Sequence, residues 1–276
     1  MSDICFIGGD ARNCLLAKMF EEDGKSVIRC GLKGQNVSFE EIKLLSYDII
    51  ITAIPFSNDK VTVNSSLEEK ILIEDFIANI KCKTIYGGKF APDILKRLEE
   101  NGNKVIDVMK INELAIKNAI PTAEGVIKII IENTDITIND SNIAILGFGK
   151  VGKKVSELLK KLGANIFVYD INQEEVANIK MYGYNVLKDI SDGLTGKDVI
   201  VNTVPEVIIN QTNFDKIMKE TLIIDIASKP GGIDYSYQNI NDYKCIQALG
   251  LPGKIAPKTA AKYIKDIIES YSNMRC

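Results

Sequence analysis

The chain has 276 residues, a length that fits two domains, each large enough to bury its own core. Its 34 basic and 37 acidic residues are interspersed, which excludes the one-sided charge that nucleic acid or an anionic membrane surface requires and leaves a small molecule as the expected partner. No apolar run reaches the roughly 18–20 residues of a bilayer span, and Met1-Ser2-Asp3 enters a strand with no basic leader, so a cytoplasmic protein is expected.

The chain contains no histidine. That excludes Cys/His and Ser/His/Asp catalysis and removes the commonest general base; no metal site is expected. The six cysteines, Cys5, Cys14, Cys30, Cys82, Cys245 and Cys276, form no CxxC pair and read as small hydrophobes, most of them buried.

In chain order, residues 3–31 read as strand, glycine turn, helix, Gly24, strand. Asp48 to Pro55 is a fully apolar strand ending in proline, and residues 56–72 lack periodicity and are expected to form a mobile loop. Strands follow at Thr84–Gly88 and Lys104–Val108, with an amphipathic helix at Pro92–Asn101 between them. Asn112 to Asn133 is helical but interrupted at Pro121, which predicts a break near Ile120 and a fresh helix N-terminus at Pro121 and Thr122.

The stretch Asn142 to Gly152 then runs from a buried strand into Gly147-Phe148-Gly149-Lys150-Val151-Gly152. This GxGxxG spacing assigns one glycine to a tight turn, one to bare backbone against a pyrophosphate, and one to close packing of helix on strand. A helix to Leu162, Gly163 and a strand ending at Asp170 follow. Asp170 stands 21 residues beyond Gly149, where an acid accepts hydrogen bonds from an adenosine ribose. Apolar strands recur at Asp198–Pro205, Leu222–Ser228 and Lys244–Leu249. A last helix runs from Pro257 to about Asn273 and is expected to return to the first domain.

Residues 3–31 repeat the glycine stretch without a gap at an offset of 139, with Gly8 over Gly147 and Gly24 over Gly163. Asp10 and Asn13 replace the second and third glycines, and their side chains would block a pyrophosphate. The expected architecture is α/β: two doubly wound parallel-sheet, Rossmann-like domains separated by a cleft and joined by two crossing helices. Residues 1–117 with 256–276 would form a substrate and partner domain, and 118–255 an NAD(P)-binding domain.

Ligands of open parallel sheets bind beyond the carboxyl ends of the strands. There the cofactor candidates are Gly147, Phe148, Gly149, Lys150, Val151, Gly152 and Asp170, with Thr203, Val204 and Pro205 offering backbone beside the nicotinamide ribose. The substrate candidates are Gly9, Asp10, Arg12, Pro121, Thr122, Gly231, Gly232, Lys258 and Thr259. Arg12 either clamps a carboxylate or pairs with Asp10. For proton transfer the candidates are Glu124, Asp225, Lys229 and Lys258. Asp225 reads equally as a strand-end acid satisfied by amides, and Glu124 as a capping partner of Thr122.

Taken together, Ile7-Gly8-Gly9-Asp10-Ala11-Arg12, Ile120 to Gly125, Ile143 to Gly152, Ile209-Asn210-Gln211-Thr212, Ala227 to Gly232, Gly250 to Gly253 and Ala256 to Ala260 resemble the A-subunit family of dipicolinate synthase. The resemblance covers almost the whole chain. It implies NAD(P)-dependent oxidation of dihydrodipicolinate to pyridine-2,6-dicarboxylate, in company with a flavoprotein-like B subunit, in the mother cell of a sporulating bacterium. Two substrate carboxylates would then meet Arg12, Lys258 and the helix N-terminus at Thr122. The family is described with NADPH, whereas Asp170 would repel a 2′-phosphate and no arginine adjoins it, so the chain leans to NAD. The alternatives are a shikimate-dehydrogenase-like oxidoreductase and a non-catalytic NAD(P)-binding regulatory or scaffold protein. A D-2-hydroxyacid dehydrogenase relies on a His/Glu pair, and the absence of histidine argues strongly against it.

Overall fold

Apolar runs without polar alternation become strands covered on both faces, the environment of a parallel sheet flanked by helices. The computed structural model describes residues 4–34, 36–68 and 70–273; Met1-Ser2-Asp3 and Cys276 lie outside them. The chain resolves into two units, one running to Lys117 and resuming at Ala256, the other Asn118–Ile255.

The first unit contains β1 (Ile4–Ile7), α1 (Ala11–Glu22), β2 (Val27–Cys30), α2 (Phe39–Ile42), β3 (Ile49–Thr52), β4 (Thr62–Val63), β5 (Ile71–Leu72), α3 (Ile73–Asn79), β6 (Thr84–Gly87), α4 (Pro92–Glu100) and β7 (Lys104–Asp107). Five strands make a parallel sheet in the order β2-β1-β3-β6-β7, with Ile4 opposite both Val27 and Ile49. Alternate residues of β1 go to opposite faces. Ile4 and Phe6 join Leu16 and Phe20 of α1 with Ala261, Ile264 and Ile267, while Cys5 and Ile7 join Phe76, Ile94 and Leu98. Each fully buried isoleucine or leucine contributes roughly 1.5–3 kcal/mol, so two-sided burial holds these short strands.

Residues 56–72, expected to be a mobile loop, instead include a seated hairpin, β4 pairing antiparallel with β5. Its organiser is Asp59, whose Oδ1 accepts from the Val61 and Thr62 backbone N–H groups, both at 2.8 Å, and whose Oδ2 accepts from the Thr62 hydroxyl at 2.7 Å. These bonds, that from the Thr62 amide foremost, hold the carboxyl below the usual carboxylate range. Buried Phe56 anchors one end against Phe76 and Phe90, with ring centroids 5.4 and 4.8 Å away. Such a loop is ordered by side-chain bonds and one aromatic anchor, neither of which has a period for a sequence to show.

Helix α5 (Asn112–Asn133) runs unbroken with Pro121 inside it. The expected break at Ile120 and the helix N-terminus at Pro121 and Thr122 are therefore corrected. An internal proline costs about 3 kcal/mol. Against that the helix buries Leu114 in the first unit's core and Ala123, Val126 and Ile130 in the second's. The Thr122 hydroxyl donates to the Asn118 carbonyl at 2.7 Å, so Thr122 has neither the free N-terminus nor the Glu124 capping partner expected of it.

The second unit continues with β8 (Asn142–Leu146), α6 (Lys150–Lys161), β9 (Asn165–Tyr169), α7 (Gln173–Met181), β10 (Asn185–Val186), α8 (Ile190–Gly193), β11 (Val199–Asn202), α9 (Gln211–Phe214), β12 (Leu222–Asp225), β13 (Lys244–Gln247) and α10 (Leu251–Ile255). Its six strands are parallel in the order β10-β9-β8-β11-β12-β13. Ile143 and Ile145 face α5 and α6 through Val126, Ile130, Val155 and Leu159. On the opposite face Ala144 and Leu146 pack with Leu194, Phe214 and Ile223. Helix α11 (Pro257–Asn273) belongs to the first unit. Each sheet is doubly wound, and the strand order reverses at β1/β3 in one and at β8/β11 in the other.

The hairpin sits directly on the first glycine turn: Gly8 has φ +69°, and a Cβ there would lie 2.3 Å from the Asn64 carbonyl oxygen. Gly8→Ala should therefore lose about 2 kcal/mol or more, left-handed strain plus the clash, read as a lowered melting temperature.

Candidate active site

At the β8/β11 switch point the three glycines have three different surroundings. Gly147 has φ +91°, and a Cβ on it would meet Thr203 Oγ1 at 2.5 Å. Gly152 would place a Cβ 2.0 Å from the Gly147 carbonyl oxygen, so α6 can lie this close to β8 only without a side chain. Around Gly149 a Cβ would meet nothing within 4 Å. Its φ of −72° suits any residue, so neither strain nor crowding asks for glycine there. A position kept bare beside open space, at the N-terminus of a 12-residue helix that no side chain caps, fits an approaching pyrophosphate. Lys150 is exposed in the first turn, and Val151 is half-buried.

The neighbouring strands brace this turn. Asp170 Oδ2 accepts from the Phe148 N–H at 2.6 Å and its Oδ1 from the Asn172 N–H at 2.8 Å. Each carboxylate oxygen retains a lone pair for a ribose hydroxyl. Thr203 Oγ1 donates to the Leu146 carbonyl at 2.9 Å. Val204 donates its N–H to Asn202 Oδ1 at 3.2 Å, and Pro205 is exposed.

Asp225 is fully buried at the end of β12. Its Oδ1 accepts from Asn202 Nδ2 at 2.8 Å and the Ala227 N–H at 3.2 Å, and its Oδ2 from the Gly232 N–H at 3.1 Å. The strand-end reading of Asp225 is the one the structure shows: its carboxylate is enclosed by donors from Asn202, Ala227 and Gly232. Gly231 and Gly232 are also internal. A Cβ would meet Asp225 Oδ2 at 2.6 Å on the first and Asn202 Nδ2 at 2.0 Å on the second, and the Gly232 carbonyl accepts from Ile208 and Ile209. Burial foremost, with the Asp225 carboxylate adding to it, pushes the Cys245 thiol up to about 11 and Tyr235 up to about 12, so both stay neutral. Cys245 is thus the small hydrophobe the sequence suggested. Lys229 is exposed.

At the β1/β3 switch point Gly9, Asp10 and Arg12 come together. Arg12 Nε donates to both Asp10 oxygens at 3.1 Å and Nη2 to Oδ2 at 2.7 Å. Nη2 also donates to the Ile54 carbonyl at 2.5 Å. The pairing alternative for Arg12 is therefore realised. Asp10 caps α1 by accepting from the Arg12 N–H at 2.8 Å, and Asn13, buried, donates to the Thr52 carbonyl at 2.9 Å. A cavity of about 220 Å³ opens here, walled by Asp10, Ile54, Pro55, Asn58, Asn64 and Ser65 among others. The last three come from the hairpin stretch. Sequence reasoning missed them, and it missed Asn202, whose one signal was an amide closing an otherwise apolar strand.

Pro121 is buried and Glu124 exposed in mid-helix; Lys258 and Thr259 are exposed in the first turn of α11, and Lys258 has no ion-pair partner among the described residues.

Residues 3–109 match the family described as the N-terminal domain of the dipicolinate synthase A-subunit, and residues 130–230 the NAD binding domain of D-isomer specific 2-hydroxyacid dehydrogenases. Among curated proteins the chain is 29% identical to the dipicolinate synthase A-subunit of Bacillus subtilis (strain 168), over 96% of this chain and 94% of that one. The crystal structure of the dipicolinate synthase A-subunit from Bacillus halodurans superposes with a TM-score of 0.90 at 27% identity, covering 98% and 97% of the two chains. That of its Bacillus subtilis counterpart does so at 0.87 and 27%, covering 99% and 96%. The second unit is thus an NAD(P)-binding domain of the dehydrogenase kind.

The second and third glycines of GxGxxG should separate in experiment. Gly149→Ala should keep the wild-type melting temperature yet weaken NAD(P) binding by about tenfold or more, because its methyl intrudes only on the ligand's space. Gly152→Ala should lower the melting temperature itself. Nucleotide titration and thermal denaturation of both variants check this.

Proposed function

We propose that this chain, in sequence and fold a relative of the dipicolinate synthase A-subunits, oxidises dihydrodipicolinate to dipicolinate. The observation that carries the reading is the 29% identity sustained over 96% of the chain, so that substrate unit and nucleotide unit match together. The absence of histidine keeps the dehydrogenase-type domain from implying 2-hydroxyacid chemistry, which needs that residue as base.

In this reading the Gly147–Gly152 turn and the N-terminus of α6 hold the cofactor pyrophosphate, Asp170 holds the adenosine ribose, and the Thr203–Pro205 backbone borders the nicotinamide ribose. Bound NAD(P)⁺ supplies the hydride acceptor. Asp170 favours NAD, since a 2′-phosphate would meet its carboxylate with no arginine in the following residues Ile171-Asn172-Gln173. Asp225 and Asn202 fix the loops after β11 and β12 relative to each other. Arg12 and the cavity beside it serve the substrate, with Lys258 and Thr259 as further candidates for its carboxylates. The partner is a B subunit, and the setting is the cytoplasm of a sporulating bacterium.

Purified chain, with and without its B partner, should generate reduced nicotinamide absorbance when NAD(P)⁺ and freshly prepared dihydrodipicolinate are supplied. Nucleotide binding without any such gain would leave a non-catalytic nucleotide-binding protein. Asp170→Ala should weaken NAD binding by about tenfold and NADP binding by less; equal losses would remove Asp170 as the ribose acid.

A further inference from the structure

The two glycine turns, alike in sequence, differ in what lies over them. Around Gly149 the space is open, whereas the Gly9 N–H already donates to the Asn64 carbonyl at 2.7 Å. The connection between β3 and β6 occupies residues 53–83, against 203–221 between β11 and β12, and the longer stretch supplies the hairpin that covers the turn. The hairpin's carbonyl lies directly against the turn. What remains is the cavity of about 220 Å³, room for a one-ring molecule but not for a dinucleotide.

Of the side chains walling that cavity, Asp10 alone is a carboxylate and the rest are uncharged. Ile54, Pro55, Asn58, Asn64 and Ser65 face it from the segment after β3 and from the hairpin with no charge, and among the described residues Arg12 from α1 is the one charged group paired with it. The Asp10 side chain is half-exposed, whereas that of Arg12 is 14% exposed. Asp10 is therefore presented and Arg12 lies behind it. Arg12 Nη1 donates no hydrogen bond among the described residues, so one guanidinium can hold Asp10 along its Nε and Nη2 edge and offer Nη1 to a ligand carboxylate.

We propose that Asp10 is the catalytic proton acceptor and Arg12 the residue that positions it, an assignment that rests on the dihydropyridine oxidation proposed above. Aromatising the ring removes one hydride and one proton. The hydride, with both electrons of its C–H bond, goes to NAD(P)⁺; the proton goes to an Asp10 carboxylate oxygen, and the electrons of the bond it leaves complete the aromatic sextet. Without histidine, and with Asp225 enclosed by its own three donors, the cavity acid takes the role.

Asn caps a helix as well as Asp does, so Asp10→Asn removes the charge and keeps the fold. It should lower kcat by about 100-fold or more while the melting temperature and the affinity for dipicolinate, measured by calorimetry, change by less than about threefold. Asp10→Glu should restore part of the rate. An Asp10→Asn chain with near wild-type kcat, or one in which kcat, dipicolinate affinity and melting temperature fall together, overturns the assignment. A wild-type chain that oxidises no dihydrodipicolinate overturns the functional reading and the Asp10 assignment with it.

Discussion

The Gly147 carbonyl and the first turn of α6 approach so closely that a single Cβ at Gly152 would sit 2.0 Å from the carbonyl oxygen. This backbone-on-backbone contact sets the angle at which the helix leaves the strand, and with it the direction of the uncapped N–H groups at Gly149. The surrounding network serves that geometry. Asp170 takes the Phe148 N–H from one side, and Thr203 donates to Leu146 from the other, so β9 and β11 hold the turn that β8 begins. A dinucleotide site of this kind is preorganised backbone, which has no side-chain entropy to lose on binding.

The first unit applies the same strand-turn-helix plan to another end. Where the third glycine would be, Asn13 turns inward and donates to Thr52; a Cβ on Gly9 would lie 2.3 Å from its side chain. Over the turn itself lies the hairpin, whose Asn64 carbonyl accepts from the Gly9 N–H. The amide's demand for an acceptor is the same in both units, since a buried N–H must be paired. Gly9 meets it with the Asn64 carbonyl of the hairpin, and its counterpart Phe148 meets it with the Asp170 carboxylate, so one repeated turn is braced from two different directions.

The lack of histidine shapes the chemistry in a similar way. The oxidation proposed above ends in an aromatic ring and has a large driving force, so in that reading the proton can pass to a carboxylate without a base poised near neutrality. Paired acids and bases accordingly occur mostly in structural settings. Asp225 pins two loops, and Glu157, between Lys154 and Lys161 on the surface of α6, is held down at about 2 by their hydrogen bonds.

Much was legible from residues alone. Two-sided apolar runs such as Ile49 to Thr52 and Val199 to Asn202 determined buried parallel strands, the glycine spacing determined a dinucleotide turn, and the ungapped echo at Gly8 determined a second domain of the same plan. All of these depend on local pattern. Tertiary structure decided the rest. Pro121 stays within α5 because apolar contacts along the helix outweigh one lost hydrogen bond, and the cores it enters are assembled from strands and helices along the whole chain. Asn64 meets Gly9 across 55 positions, and Asp225 turns inward because Asn202 and Gly232 wait there. A residue's type states what it can bond; only the fold brings a partner within 3 Å or leaves it facing a cavity, as it leaves Asp10.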